Sequence, residues 1–192
     1  TPKEKGEYNF IINQSNIGQS NFGGYASQRK GNFGYAILGT LNFQKAYDVD
    51  KDDFSESPKS NNFTINPRIF YYPNETTTFM LGNTFTKGTM KGGDMNVIAG
   101  IADAFHTYFE KNETIRNTTT FEFDKKFTKN NSFKLKQSLS FFDRKINIPN
   151  YEFSGFNTNI FTDASYLWIA KKQTIITGFN FQYDNFKQSN IS

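Results

Sequence analysis

The chain has 192 residues, enough for one domain with a sizeable core and too few for two. Its net charge of +4 is spread among residues of both signs and forms no basic block, which argues against a nucleic-acid-binding protein. Only 36% of the residues are hydrophobic, yet 23 are Phe and 10 are Tyr, whereas soluble cores rely on Leu, Val, Ile and Ala. Composition alone favours a soluble all-β domain. A membrane sheet stays open as the alternative, because alternating strands conceal an apolar face from the mean hydropathy of -0.66.

Apolar residues recur at every second position, a period that predicts β-strands and not helices. Phe121 and Phe123 point to one face, for example, while Glu122 and Asp124 point to the other. No facing is assigned to the strand at 160–170. The pattern predicts an all-β fold, an antiparallel meander of about nine strands that cover, in chain order, residues 8–13, 21–28, 33–43, 63–72, 77–87, 114–127, 133–141, 160–170 and 175–184.

The predicted connections alternate strictly between short and long. The short ones are residues 29–32, 73–76, 128–132 and 171–173, and the long ones are residues 44–62, 88–113 and 143–159. This alternation places every long loop at one end of the sheet, as in outer-membrane barrels, whereas soluble sandwiches mix loop lengths. Strands of about ten residues, at roughly 3.4 Å each and tilted by about 40°, rise about 26 Å, which matches an apolar band about 25 Å tall. The connections therefore favour a segment of a transmembrane β-barrel.

An odd number of strands has a consequence for closure. The first and last strands would meet in parallel, so the chain is expected to form an open, curved sheet rather than a closed barrel. The apolar side chains would face outer-membrane lipid, and the polar ones would line a lumen. The alternative is that the polar face is the solvated outside of a soluble sheet.

The order of strands, the short turns and the stretch Asn66-Pro67-Arg68-Ile69-Phe70-Tyr71-Tyr72-Pro73-Asn74 resemble TonB-dependent outer-membrane receptors of Bacteroidetes-type bacteria. The opening Thr1-Pro2-Lys3 resembles the junction where the plug of that family ends and its barrel begins. The resemblance implies that residues 1–192 are the N-terminal part of a receptor barrel, with the plug and the remaining strands outside this chain.

Such a receptor would import a scarce ligand across the outer membrane, such as a ferric siderophore, haem, cobalamin or an oligosaccharide. It would contact the TonB complex through the plug domain. No enzymatic activity and no nucleic-acid partner are expected. The alternative function is a secreted all-β adhesin or glycan-binding domain.

The first long connection contains the sharpest local signal, Asp48, Asp50 and Asp52 at alternate positions, with Glu56 just beyond. Carboxylates spaced in this way can point inward together and supply the hard oxygen ligands that Ca²⁺ prefers. The spacing is not that of an EF-hand loop, because the glycine position holds Asp53. These four residues are a candidate calcium site, and the alternative is a solvated acidic loop without an ion. Cobalamin receptors of the resembled family order extracellular loops with calcium.

The second long connection begins with Gly92-Gly93-Asp94, and Gly93 and Asp94 are candidate contacts for a ligand or for the plug. A purely structural loop is the alternative. Residues 101–110 are predicted to form a short helix. His106 is the one histidine of the chain and there is no cysteine, so a Cys/His or multi-His metal site is excluded. Tyr166 and Trp168 lie beside a tight turn, where either an aromatic girdle or a soluble core anchor would place them.

Overall fold

The alternating residues form one continuous β-sheet. The computed structural model describes residues 1–101 and 103–191, and its nine strands lie side by side in sequence order, each antiparallel to the next. The predicted all-β antiparallel meander is therefore confirmed. The elements are β1 Glu7–Gln14, β2 Gln19–Lys30, β3 Phe33–Gln44, β4 Lys59–Asn74, β5 Thr77–Gly93, α1 Met95–Ala99, β6 Phe109–Lys126, β7 Asn131–Ile148, β8 Tyr151–Ala170 and β9 Gln173–Ile191.

The sheet is open, as predicted. Within the described ranges, 1–101 and 103–191, β1 pairs only with β2 and β9 pairs only with β8. No second sheet packs against the first in this part of the chain, so there is no sandwich. The structure is a single layer with two faces and two free edges.

Register assigns the side chains to the two faces. The row Phe33, Tyr71, Phe79, Phe123 and Leu135 crosses the sheet through directly opposite pairs and belongs to what we call the apolar face. Two residues further along each strand, Ile69, Leu81 and Phe121 continue the same face. The opposite, polar face carries charged and hydroxyl side chains, which are Thr64, Thr86, Arg68, Arg116, Thr118, Ser140, Glu122, Lys136, Asp124 and Lys134.

Both faces of the sheet carry exposed side chains. Ile69 and Leu81 on the apolar face are 60% and 55% exposed, and Arg68 and Lys136 on the polar face are exposed as well. Gly82 on the polar face is buried because the side chains of its neighbours on that face, Thr120 among them, cover it. No other part of the described chain covers the apolar face.

A small buried cluster lies on the polar face near the start of the chain. Phe70, Tyr72 and Met80 pack together there with Ala36. The segment before β1 covers this region. The backbone N–H of Arg29 donates to the carbonyl oxygen of Lys3 at 2.8 Å, and a Cβ on Gly34 would lie 3.3 Å from the ring of Pro2.

The connections do not alternate strictly between short and long, because two of those at the loop end are short. One end, the turn end, has the short connections 31–32, 75–76, 127–130 and 171–172, and the other, the loop end, has 15–18, 45–58, 94–108 and 149–150. The loop predicted at 143–159 is wrong. β7 and β8 stay paired down to Ile148 and Tyr151, and only Pro149 and Asn150 form the turn. Two long loops, not three, therefore occupy the loop end.

Strand lengths and the helix also depart from the sequence prediction. Strands β4 to β9 have 16 to 20 residues instead of about ten, because pairing continues beyond the apolar stretches through polar residues near the loop end. The helix predicted at 101–110 is wrong. α1 is earlier, at Met95–Ala99, because Asp94 caps it, while Phe109 and Glu110 belong to β6. Ala102, which the prediction included, lies outside the described residues.

The turn between β7 and β8 depends on one residue. Asn150 has a positive φ of 62°, and Pro149 precedes it, the order expected for a type II turn with Pro at its second position and Asn or Gly at its third. Replacement of Asn150 by Val should lower the free energy of unfolding by about 1–2 kcal/mol, because a β-branched residue is strained at positive φ. Replacement by Gly should leave the free energy almost unchanged. Urea unfolding of the two variants measures the difference, and equal loss in both would contradict the turn assignment.

Candidate functional site

The two long loops, residues 45–58 and 94–108, are joined at the loop end. Gly93 and Ser55 exchange hydrogen bonds: the N–H of Ser55 donates to the carbonyl oxygen of Gly93 at 3.0 Å, and the N–H of Gly93 donates to the Ser55 hydroxyl at 3.0 Å. The N–H of Met95 donates to the carbonyl oxygen of Asp53 at 2.9 Å. The rings of Phe54 and Tyr108 stack with centroids 6.2 Å apart. A conformational change in one loop should therefore alter the conformation of the other.

The four carboxylates predicted from the sequence as a calcium site lie together. One ligand oxygen from each of Asp48, Asp50, Asp52 and Glu56 lies within 4.8 Å of the others. Oxygens bound to Ca²⁺ at 2.3–2.6 Å are at most about 5 Å from one another, so this spacing suits a shared ion. The same spacing occurs in exposed acidic loops that hold no ion. Calcium binding stays a prediction.

The loop brings these groups together through hydrogen bonds to its own backbone. Asp48 accepts from the N–H of Lys51 at 2.6 Å and from the N–H of Asp53 at 3.0 Å. Lys51 and Asp53 both have positive φ, 66° and 71°, so the chain folds back tightly around the Asp48 side chain. Glu56 closes the loop by accepting from the N–H of Val49 at 2.6 Å.

The charges in this cluster repel one another. Desolvation, followed by the neighbouring charges of Asp52, Glu56 and Asp48, raises the pKa of Asp50 above its ordinary value. A carboxylate with a raised pKa gains from a nearby positive charge. A divalent cation of the hard, oxygen-seeking kind would supply that charge, and the cluster offers four carboxylates to bind it.

Gly93 and Asp94, the candidate ligand or plug contacts, lie at the junction of the two loops. Gly93 has a φ of 112°, and a Cβ at this position would lie 2.8 Å from the carbonyl oxygen of Tyr108. Asp94 is buried, at 4% exposure, and its carboxylate accepts from the N–H groups of Asn96 and Val97 at 2.8 and 3.4 Å. Both residues therefore serve the structure of the loop. Contact with a ligand or with the plug stays a prediction for them.

His106 joins this junction, a role that the sequence analysis did not assign to it. Its Nδ1 lies 2.7 Å from the Oδ2 of Asp94, and its backbone N–H donates to Asp103 at 2.8 Å. The hydrogen bond to Asp94 raises the pKa of His106 above its ordinary value, with smaller contributions from the charges of Asp94, Asp103 and Asp53. Desolvation opposes ionisation of Asp94, but the hydrogen bonds from His106 and from the two amides prevail, and the pKa of Asp94 lies below its ordinary value.

Comparisons of the chain with protein-family models, with curated proteins and with solved structures find no match. Within the residues that the structure describes, no helix is long and apolar enough to cross a membrane. Function is therefore inferred from the residues and their geometry.

Calcium should protect the loop at 45–58 from proteolysis, because an ion that binds only the folded loop stabilises it. Limited digestion in Ca²⁺ should proceed more slowly than digestion in a chelator. The protection should disappear in the Asp50→Asn, Asp52→Asn double variant. Asp53→Asn is the matched control, since Asp53 is in the same loop but outside the cluster, and it should keep the protection. Identical digestion of the unaltered protein with Ca²⁺ and with chelator would remove the calcium hypothesis.

The pair of Asp94 and His106 should make the order of the loop at 94–108 depend on pH. Because the pKa of His106 is raised in the folded loop, its pairing with Asp94 stabilises the loop fully below pH 6.5. This stabilisation is lost as the pH rises through the raised pKa. Because the pKa of Asp94 is lowered in the folded loop, the ionised carboxylate stabilises the loop above pH 3.8. This stabilisation is lost as the pH falls through the lowered pKa. Amide hydrogen exchange in the loop, corrected for intrinsic rates, should therefore be faster at pH 8.5 than at pH 6. His106→Gln should abolish the difference, and an unaltered difference in that variant would contradict the pairing.

Proposed function

We propose that this chain is a membrane-spanning segment of the wall of an outer-membrane transport barrel, of the TonB-dependent receptor kind. The observation that carries the proposal is the apolar face, a broad sheet of Phe, Tyr, Leu and Ile with no protein layer against it in the described residues. Such a face is unstable in water, and a bilayer is the environment that covers it without further protein.

The height of the apolar face agrees with a bilayer. On β7 the residues of this face from Phe133 to Phe141 are apolar except Gln137, after which Asp143 and Lys145 follow on the same face. On β4 the stretch extends from Phe63 to Tyr71. Eight residue steps at about 3.4 Å, tilted by about 40°, rise roughly 21 Å, and the side chains at both ends add several Å. Apolar bands of outer-membrane barrels are about 25 Å tall.

Aromatic rings border this band near the turn end. Phe33, Tyr71, Phe79, Phe123 and Phe133 form a row across β3 to β7 in which successive ring centroids are 4.9, 6.2, 4.8 and 6.2 Å apart. Tyr166 and Trp168 of β8 continue the border toward the turn at 171–172. Girdles of this kind lie at the boundary between hydrocarbon and headgroups. The row supports the girdle role over that of a soluble core anchor.

The polar face suits an aqueous or plugged lumen. Lys134 and Asp124 form an ion pair at 3.1 Å, and the Arg116 guanidinium lies 4.4 Å from the centroid of the Phe142 ring. Hydroxyl pairs link neighbouring strands, with Thr118 and Ser140 at 2.8 Å. Side chains of both signs on one face require water or a polar partner, since burying an unpaired ion costs several kcal/mol.

The free edges of β1 and β9 support a larger assembly. Each edge presents backbone N–H and C=O groups that no strand pairs in the described part of the chain. In hydrocarbon each unsatisfied group costs several kcal/mol, so both edges need further strands. We assign these strands to the same barrel. The loop end, with its two long loops, would then be extracellular.

Transport of a scarce ligand and contact with the TonB complex follow from the family resemblance alone. The secreted adhesin or glycan-binding domain is the second candidate. That function would place the sheet in water, where the apolar face needs a second protein layer. None packs there in the residues that the structure describes, and this favours the membrane.

An arginine on the apolar face at mid-depth should prevent insertion. Leu139 is on this face of β7, and Leu139→Arg should cost about 2–4 kcal/mol in a bilayer. Ser138→Arg is the matched control, one residue away on the polar face, and should be almost neutral. Folded yield in liposomes, measured by resistance to heat and protease, reports the difference. Equal tolerance at the two positions would contradict the membrane assignment.

A further inference from the structure

The polar face holds a pocket of about 230 Å³ on β6 to β9. Its lining is polar except for one aromatic ring, and it consists of Arg116, Ser140, Phe142, Asn157, Asn159 and Asp184. These residues form two neighbouring cross-strand rows, one from Arg116 to Asn157 and the other from Ser140 to Asp184. The register of four strands therefore brings one positive and one negative charge to the same pocket.

Arg116 is held over the aromatic ring of the pocket. Its guanidinium carbon lies 4.4 Å from the centroid of the Phe142 ring. The face of the ring attracts the positive charge, but it is not a conventional hydrogen-bond acceptor for the N–H groups. A guanidinium presents these donors as a planar fork that matches the two oxygens of a carboxylate. Arg116 therefore suits the carboxylate group of a ligand.

Asp184 is held by two amides on the neighbouring strand. Its Oδ2 accepts from the Nδ2 of Asn157 at 3.2 Å and from the Nδ2 of Asn159 at 3.1 Å. Both donors are neutral, so they orient the carboxylate without cancelling its charge. A carboxylate has lone pairs for about four hydrogen bonds, and the exposed Asp184 can accept more than these two. Asp184 therefore suits an ammonium group.

The two opposite charges share the pocket without pairing. In the part of the chain that the structure describes, Arg116 and Asp184 form no ion pair, since the ring holds one and the amides hold the other. An anionic ligand would be attracted by Arg116 and repelled by Asp184, and a cationic ligand would meet the reverse. A zwitterion places an opposite charge against each of the two groups.

The spacing of the strands limits the size of the zwitterion. The guanidinium lies over a ring of β7, and the carboxylate is bonded to amides of β8. Neighbouring strands are about 4.8 Å apart, so the two charged groups are separated by roughly 5–10 Å. An α-amino acid has its charges about 3 Å apart and, with a hydrogen bond of about 2.8 Å at each end, spans roughly 8–9 Å. A second residue would add about 3.5 Å and exceed the available distance.

We propose that this pocket binds a free α-amino acid, with the ligand carboxylate at Arg116 and the ligand ammonium group at Asp184. The guanidinium of Arg116 donates to the carboxylate, and the ammonium group donates to Asp184. The role of the pocket as the ligand site of a transport barrel rests on the proposed function, in which the polar face lines the lumen. The pocket then names the class of the transported ligand.

Equilibrium dialysis of the full protein in detergent micelles tests the pocket, with a mixture of the standard L-amino acids at neutral pH as the probe. The protein should retain at least one amino acid, which mass spectrometry identifies. The N-acetyl derivative of that amino acid lacks the positive charge, and its amide derivative lacks the negative one. Each derivative should bind at least about tenfold more weakly, because a charge-assisted hydrogen bond is lost.

Single substitutions assign each charge to its residue. Asp184→Asn should remove the advantage of the amino acid over its N-acetyl derivative, and unchanged binding of that derivative shows that the variant is folded. Arg116→Gln should remove the advantage over the amide derivative. Asp163→Asn is the matched control, because Asp163 is also a carboxylate of the polar face that accepts from an amide of β9, Asn180 at 3.4 Å, but lies outside the pocket. The control should bind like the unaltered protein.

The outcomes separate the pocket from the membrane assignment. Retention of no amino acid, equal binding of the amino acid and either derivative, or equal weakening by Asp163→Asn and Asp184→Asn would each overturn the amino-acid pocket. No retention together with a low folded yield of Leu139→Arg would reject only the pocket. Retention together with an unimpaired yield of Leu139→Arg would reject the membrane assignment and leave the binding pocket in place.

Discussion

A single β-sheet has no core of its own unless something covers its apolar face, and this requirement governs the whole molecule. The buried hydrophobic residues in the described part of the chain are four, Phe70, Tyr72, Met80 and Val97, while many large apolar side chains remain exposed. Hydrophobic burial normally supplies most of the free energy that offsets chain entropy. Here that contribution must come from whatever covers the apolar face. The backbone ladder fixes the shape of the sheet, and the environment fixes its stability.

The meander makes the sheet depend on neighbours in sequence. Each strand pairs with the next one along the chain, so every register is set by a hairpin or by one of the two long loops. A shift by one residue would move the phenylalanines of a strand to the polar face and its charged side chains to the apolar face. The contrast between the two faces therefore disfavours such a shift in register.

The period of two was sufficient to predict the strands and the face on which most side chains lie, because successive side chains of a pleated strand point to opposite faces. It failed at Asp143, Arg144 and Lys145, where charged residues on both faces indicate a loop although backbone pairing continues.

Proximity of Asp48, Asp50 and Asp52 was predictable from their spacing in one tight loop. The pairing of Asp94 with His106 was not, because twelve positions and a helical turn separate them and only the folded loop brings them together.

The junction of the long loops links two chemical events. The acidic cluster includes Asp52, and the next residue, Asp53, accepts a hydrogen bond from Met95 at the start of α1. That helix is capped by Asp94, whose other oxygen pairs with His106. A cation at the cluster would order the backbone around Asp53, and protonation of His106 orders the backbone around Asp94. Since the two backbones are hydrogen-bonded to each other, each event lowers the conformational entropy that the other must overcome. Divalent cation and proton should therefore favour the same ordered arrangement at the loop end of the sheet.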